Sequence, residues 1–273
     1  MSSNRIHYDE YPWALRIQHE GFLSLRLERP GRTLRFDPCE PIEDGDIVVL
    51  TWTFPEQVDV TRKAVSDGTR PTVVATRAVL DWLGKRGEVD GHDLSAGPVS
   101  IDGLRLEAFP YTPIPYANRP EAVRKVGSAL RNPGRAIGRL ARHLDEARTT
   151  PLAIEVDLGD SGRLLHLNLA LHSGTPAPWL ADMQARARGL RWLLAGVDYD
   201  EEPAFLEALV GFQAEHVLVT DLVGEIRRKI GLPTRLLTPL VDQAQVRGLP
   251  AAVLATRSSF RYENRVSERP TAQ

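Results

Sequence analysis

Ile47-Val48-Val49-Leu50-Thr51-Trp52-Thr53-Phe54-Pro55-Glu56-Gln57 is the stretch on which the reading of this chain turns. Its first four residues are apolar without a break, which marks a strand covered on both faces. The remaining seven form a loop in which aromatic residues alternate with threonine before Pro55 and two polar side chains. Just upstream, Phe36-Asp37-Pro38-Cys39 ends a second strand, and Asp44-Gly45-Asp46 leads into the first.

The same alternation continues on either side. Trp13 to Ile17 and Phe22 to Leu27 alternate apolar and polar residues as half-buried strands do. Pro30-Gly31 then turns the chain into a third strand, Thr33 to Phe36. A short helix is expected at Thr61 to Val65, a buried strand at Thr72 to Ala75, and a helix from Thr76 to Gly84. Val99 to Ile101 and Leu104 to Ala108, joined by Asp102-Gly103, read as a hairpin. Pro110 to Pro120 holds four prolines and is expected to be irregular, with helical segments after it at Glu121 to Leu130 and Arg135 to Ala147. Strands follow at Ala153 to Leu158, Leu164 to Leu171, Trp192 to Val197 and Val217 to Val219, with helices at Pro178 to Arg188, Pro203 to Gln213 and Leu222 to Ile230. Two halves that each mix strands with helices describe an α/β protein, and an αββα sandwich satisfies the pattern. The expectation is one domain over residues 1–262, a basic helical insertion at about 119–148, and a disordered polar tail at 263–273.

Composition narrows the functional classes. A length of 273 residues, 42% hydrophobic and 26% charged, suits a globular protein with a sizeable core. The formal net charge of -2 gives no overall field to select nucleic acid or an anionic membrane. The single cysteine, Cys39, excludes an internal disulfide and a cysteine-cluster zinc site. No signal-peptide core precedes Pro12 and no run approaches the roughly 20 apolar residues of a membrane span, so the expectation is a cytoplasmic protein.

The loop from Thr51 to Gln57, with its leading strand, resembles the metal-binding loop of the metallo-β-lactamase superfamily, which reads Thr-His-x-His-x-Asp-His. Gln18-His19-Glu20-Gly21-Phe22 is similar to the Gly-His-Ser-Gly-Phe stretch of the single-domain, ascorbate-phosphate-lactonase-like branch. Phe36-Asp37-Pro38 resembles that branch's Ile-Asp-Pro. The resemblance implies the αββα sandwich of the superfamily, and a metal site with its ligands replaced. Thr51 matches; Trp52 and Phe54 stand where the first two histidines belong, Glu56 at the aspartate and Gln57 at the last histidine. On the same reading no histidine follows the hairpin near Phe109 and Tyr111. Leu169 takes the place of the bridging aspartate of a Gly-Asp-Thr, and Thr220-Asp221 stands where the final histidine is expected. A dizinc site holds imidazoles and carboxylates around its cations so that bound water ionises near neutral pH. Indole and phenyl rings offer no lone pair for that purpose. The implied protein carries no metal cofactor and serves as an inactive binding, scaffolding or regulatory subunit, with a protein partner or self-association.

Other residues keep alternatives open. His166, His172 and Asp221 lie where a relocated metal site for a small ester, lactone or phosphoester hydrolase would have to form. The two histidines stand six positions apart, which is no recognised ligand spacing, and isolated histidines are usually structural. Cys39 borders the same loop, with His19 as its candidate base, although a buried inert thiol is the simpler reading. Glu56 with Asp37 or Asp59 could pair as general acid and base. Trp52, Phe54, Phe109, Tyr111 and Tyr116 would either line a pocket or fill a core. The insertion carries eight basic residues, among them Arg124, Arg131, Arg135, Arg139 and Arg142, against Glu121, Asp145 and Glu146. Its apolar residues recur at helical spacing, so it is either a solvated helical hairpin or a docking surface for an acidic or phosphate-bearing ligand. No nucleic-acid-binding module is recognisable.

Overall fold

The computed structural model describes residues 14–21, 23–52, 55–84, 89, 91–113, 150–198, 201–222, 224, 228 and 234–262, without the side chains at 55 and 56. The first sheet holds β1 (Leu15–Gly21), β2 (Ser24–Arg29), β3 (Arg32–Phe36), β4 (Ile47–Val49), β5 (Thr72–Ala75), β6 (Gly91–Asp93) and β14 (Ser259–Tyr262). The second holds β7 (Val99–Ile101), β8 (Leu104–Pro110), β9 (Leu152–Asp157), β10 (Arg163–His166), β11 (Leu190–Gly196), β12 (Ala214–Thr220) and β13 (Ala251–Leu254). The strand orders are β14-β1-β2-β3-β4-β5-β6 and β13-β12-β11-β10-β9-β8-β7. Pairing is antiparallel from β14 to β3 and from β7 to β10, and parallel beyond. Five α-helices are described: α1 (Pro55–Ser66), α2 (Arg77–Gly84), α3 (Ala177–Arg186), α4 (Glu202–Val210) and α5 (Thr238–Val246).

Strand alternation sorts the apolar side chains into three layers. Ile17, Leu25, Phe36 and Val49 of the first sheet meet Ile154, Leu164, Trp192 and Leu194 of the second, forming the central core. Val48, Leu50, Val58, Val73 and Leu80 fill the space between the first sheet and helices α1 and α2. Leu165, Leu193, Val217 and Val219 pack under α3, α4 and α5 through Met183, Phe205, Leu209 and Val241. The αββα sandwich expected from the sequence is therefore the architecture. β4 is apolar at every position because Val48 faces the helices and Val49 the opposite sheet. The Asp102-Gly103 hairpin forms as expected, with φ of 50° and 79°, as a two-residue primed turn requires.

Several elements differ from the sequence reading. The first helix starts at Pro55 instead of Thr61, with proline at a first-turn position that suits it. The strand expected to run to Leu171 stops at His166; Leu167, Ala170 and Leu171 stay buried because the chain folds back across the end of the second sheet. The β7-β8 hairpin joins the second sheet, and β14, which the polar C-terminal region concealed, returns to the first. The helical segments expected at 121–147, the tail at 263–273 and most of the segment at 222–230 lie outside the described residues.

Candidate functional site

Backbone geometry at the ends of β3, β4 and β10 sets the site. Asp37 and Asn168 each follow a strand with a left-handed backbone, at φ 45° and 52°. Asparagine and aspartate tolerate that conformation better than most side chains. On the resemblance, the glycine of the Gly-Asp-Thr motif falls on Asn168, whose left-handed backbone is one that glycine adopts at ease. Behind it, Gly196 donates its N–H to the Asn168 carbonyl at 2.8 Å. A β-carbon at 196 would lie 2.2 Å from Leu222 Cδ1 and 2.8 Å from that carbonyl oxygen, so only glycine fits.

Thr51 ties these strand ends together. Its N–H donates to Asp37 Oδ1 at 2.8 Å and its hydroxyl to Asp37 Oδ2 at 2.5 Å. Asn168 Nδ2 donates to Thr51 Oγ1 at 2.8 Å, and Leu152 N–H donates to the Thr51 carbonyl at 2.9 Å. One residue thus bonds the first sheet to two strands of the second. Asp37, Thr51 and Asn168 are all buried. Burial pushes the Asp37 carboxyl up to about 7, against the hydroxyl and the backbone N–H groups of Thr51 and Trp52 that favour the ionised form. Asn168 Oδ1 is buried with no hydrogen-bond partner among the described residues.

The residues singled out in the sequence fall into different surroundings. Trp52 is half-buried, and Gln57 is buried in the first turn of α1, where its carbonyl accepts from the Thr61 hydroxyl at 3.0 Å. Leu169 is buried. Asp221 Oδ1 accepts the N–H of Gly224 at 2.6 Å, the bond of a helix cap. Phe109 and Tyr111 belong to the core under α3: the Arg186 guanidinium sits 4.4 Å from the Phe109 ring and Trp179 packs 6.0 Å from Tyr111. His172 accepts from Gly174 N–H at Nδ1 (3.1 Å), so its Nε2 carries the proton and donates to the Thr112 carbonyl (2.9 Å). His166 points between the sheets, with its ring 4.9 Å from Phe36. Burial pushes its imidazole down to about 3, and His19 adds to the depression. Asp59 is exposed and accepts from Arg62 at 3.0 Å, away from buried Asp37. Phe54, the Glu56 side chain, Tyr116 and the arginines at 124, 131, 135, 139 and 142 lie outside the described residues.

Cys39 belongs to a different cluster. Its sulfur lies 3.9 Å from the carbonyl oxygens of Glu20 and Gly21. Beside it, Arg35 is buried on the outer face of β3, bonded to Glu20 at 2.8 Å and to Asp46 at 3.4 Å. The same guanidinium donates to the carbonyl oxygens of Pro41 and Glu40. Arg35 thereby fastens the loop between β3 and β4 onto the sheet. The sequence carried a signal for it, a charged residue between apolar Leu34 and Phe36.

The donor set does not fit the dizinc centre that the loop's resemblance implies. Indole, primary amide and isobutyl groups stand at 52, 57 and 169, and the Asp221 carboxylate is spent as a cap. Among the described residues, no group of three or more histidine, cysteine, aspartate or glutamate side chains comes together as a metal site. His166, His172 and Asp221 are accordingly not assembled into one.

Two mixed sheets flanked by helices, with loops gathered at the strand ends, are the metallo-β-lactamase fold. Igni18, a metallo hydrolase from the hyperthermophilic archaeon Ignicoccus hospitalis, superposes with a TM-score of 0.59 at 14% identity, over 91% of this chain and 98% of that one. The isothiocyanate hydrolase from Delia radicum gut bacteria gives 0.55 at 12% identity, over 90% and 99%. CmlA, a diiron β-hydroxylase from Streptomyces venezuelae, gives 0.51 at 12% identity, over 92% of this chain and 55% of that one. At such identities the likeness establishes the fold, in agreement with the resemblance read from the sequence. No family model matches the chain, and no curated protein does. No helix among the described residues is long and apolar enough to cross a membrane.

Proposed function

We propose that this chain is a metallo-β-lactamase-fold protein that has given up metal-dependent hydrolysis and acts as a binding, scaffolding or regulatory subunit. The observation that carries the reading is the replacement of ligand positions by side chains without suitable donors, at 52, 57 and 169. The cross-sheet bonds of Thr51 support it, because they close the sandwich end by protein-protein contacts that need no cation. A domain of residues 1–262 would serve through its surface, by self-association or a protein partner, with the arginine-rich segment at 119–148 as a second contact for acidic or phosphate-bearing ligands.

A second reading draws on the neighbours, two of which are named as hydrolases. On it the chain hydrolyses a small ester, lactone or phosphoester with a relocated metal or none, using His166, His172, Asp221 or Cys39. Elemental analysis of tag-free protein purified without chelator, together with assays on p-nitrophenyl esters and phosphoesters with and without added zinc, iron or manganese, separates the two. Metal well below one per chain and no turnover support the first reading. One or more metals per chain with metal-dependent turnover overturns it.

A further inference from the structure

We propose that the groove between α1 and α2, on the outer side of the first sheet, binds a small carboxylate with an apolar tail, alkyl or aryl. The proposal goes beyond the reading of the metal-site positions and does not rest on it, because none of the lining residues stands at one of those positions. The groove has a volume of about 310 Å³. Val65, Leu83 and Val89 form its apolar side, and Asp59, Arg62 and Lys63 its polar side. Helical spacing separates the two. Positions 59, 62 and 63 share one face of α1, while Val58 and Thr61 turn inward and are buried. A concave surface that is apolar except for a few convergent polar groups is the usual form of a small-molecule site.

The charges name the ligand. The Arg62 guanidinium lies 4.7 Å over the Trp82 ring of α2 and donates to Asp59 Oδ1 at 3.0 Å. Those two contacts hold its planar set of donors in place across the groove. The carboxylate of Asp59 is thus answered by Arg62. The Lys63 ammonium is exposed and has no ion-pair partner among the described residues, which leaves the groove one cation in excess. A lysine in the last turn also complements the helix dipole, but that leaves the apolar floor and the stacked arginine beside it unexplained. Ammonium and guanidinium together take a carboxylate through charge-assisted hydrogen bonds. Asp59 sets a limit on negative charge, so a monoanion suits the groove better than a phosphate dianion. An amine would meet two cations, and a neutral alcohol would forgo the charge altogether. The tail leaves water against Val65, Leu83 and Val89.

The test is isothermal titration calorimetry of the full chain with hexanoate, octanoate and benzoate, with hexanol and hexylamine as controls for tail and charge. Octanoate is expected to bind with a Kd of about 1 mM, the affinity that about ten non-hydrogen atoms of ordinary ligand efficiency give. Hexanoate should bind more weakly by about fourfold for each methylene removed, and added salt should weaken all the carboxylates. Lys63→Gln and Arg62→Gln should each weaken octanoate about tenfold, while Arg261→Gln, exposed on β14, should leave it unchanged. Arg62→Gln also removes a ring contact and an ion pair, so its Tm is measured, and Lys63→Glu serves as the second variant at an exposed position. Any of three results overturns the proposal: no saturable binding up to about 10 mM octanoate, an affinity unchanged in the Lys63 and Arg62 variants, or hexanol or hexylamine binding as tightly as hexanoate. None of these results bears on the metal content that tests the proposed function, so the two fail separately.

Discussion

Removing one hydroxyl, by Thr51→Val, tests the account of the cross-sheet tie most directly. The substitution keeps the shape of the side chain and leaves the backbone bonds to Asp37 and Leu152 in place. It deprives Asp37 Oδ2 and Asn168 Nδ2 of their partner in a site where both residues are buried. Each buried polar group left unsatisfied costs about 1–3 kcal/mol, so the variant should lose about 4 kcal/mol. For a chain of this size that lowers Tm by about 8–10 °C. Thr51→Ser retains the hydroxyl and should lose only about 1 kcal/mol for the missing methyl. The assay is urea unfolding with calorimetry for both variants, extended to Asn168→Leu and the Thr51→Val/Asn168→Leu double variant. The single losses should fail to add by about 1–2 kcal/mol, because the two groups share one bond. A Thr51→Val protein within about 0.5 kcal/mol of wild type, or strictly additive losses, would refute the reasoning.

Other expectations follow from the same geometry. Asp37 keeps its proton in the folded state up to about pH 7 but only to 3.8 at its ordinary value, so its contribution to stability declines as pH rises through that window. His166 stays neutral when folded down to about pH 3 but is protonated below 6.5 when unfolded, so its contribution declines as pH falls. The two slopes oppose each other between about pH 4 and 6.5, and Asp37→Asn should unmask the histidine slope in unfolding measurements across that range. Breaking the buried ion pair with Glu20→Gln should cost about 3–5 kcal/mol, while Asp59→Asn at the surface should cost less than about 1 kcal/mol, as denaturant midpoints will show. Gly196→Ala should destabilise by about 1–3 kcal/mol, with loss measurable by calorimetry, because the added methyl meets the backbone carbonyl of Asn168 and buried Leu222. Reversing charge at Arg135, Arg139 and Arg142 should abolish any salt-sensitive retention on heparin; unchanged retention would remove the anion-binding role of that segment.

The layers of this fold were legible wherever periodicity and burial agree. Ile47 to Leu50 and Thr72 to Ala75 announced covered strands because both of their faces are in fact apolar environments. Periodicity failed at Leu164 to Leu171, where an apolar run continued after the strand had ended, since the chain-reversing segment is itself buried. The outer strands β13 and β14 are only four residues each, and β14 places exposed Ser259 and Arg261 between half-buried Phe260 and Tyr262, too short a pattern to stand out. At the site, the identities at 52, 57 and 169 could be read from one line of sequence. The role of Thr51 could not, because its partner Asn168 lies 117 residues away and only the closed sandwich brings the two together.

The strand orders carry a consequence for the history of the chain. Each sheet is four antiparallel strands followed by three parallel ones, and the left-handed residues Asp37 and Asn168 stand at matching places after β3 and β10. The match is complete only when β14, the last described strand, is counted as the first strand of the first unit. Ala14 N–H already bonds the Tyr262 carbonyl at 2.8 Å, so the two ends of the described chain are side by side. The protein is thus laid out as a circularly permuted tandem repeat. A gene that began just before Ser259 and ran from Tyr262 into Ala14 would encode the described strands of each sheet as one uninterrupted unit.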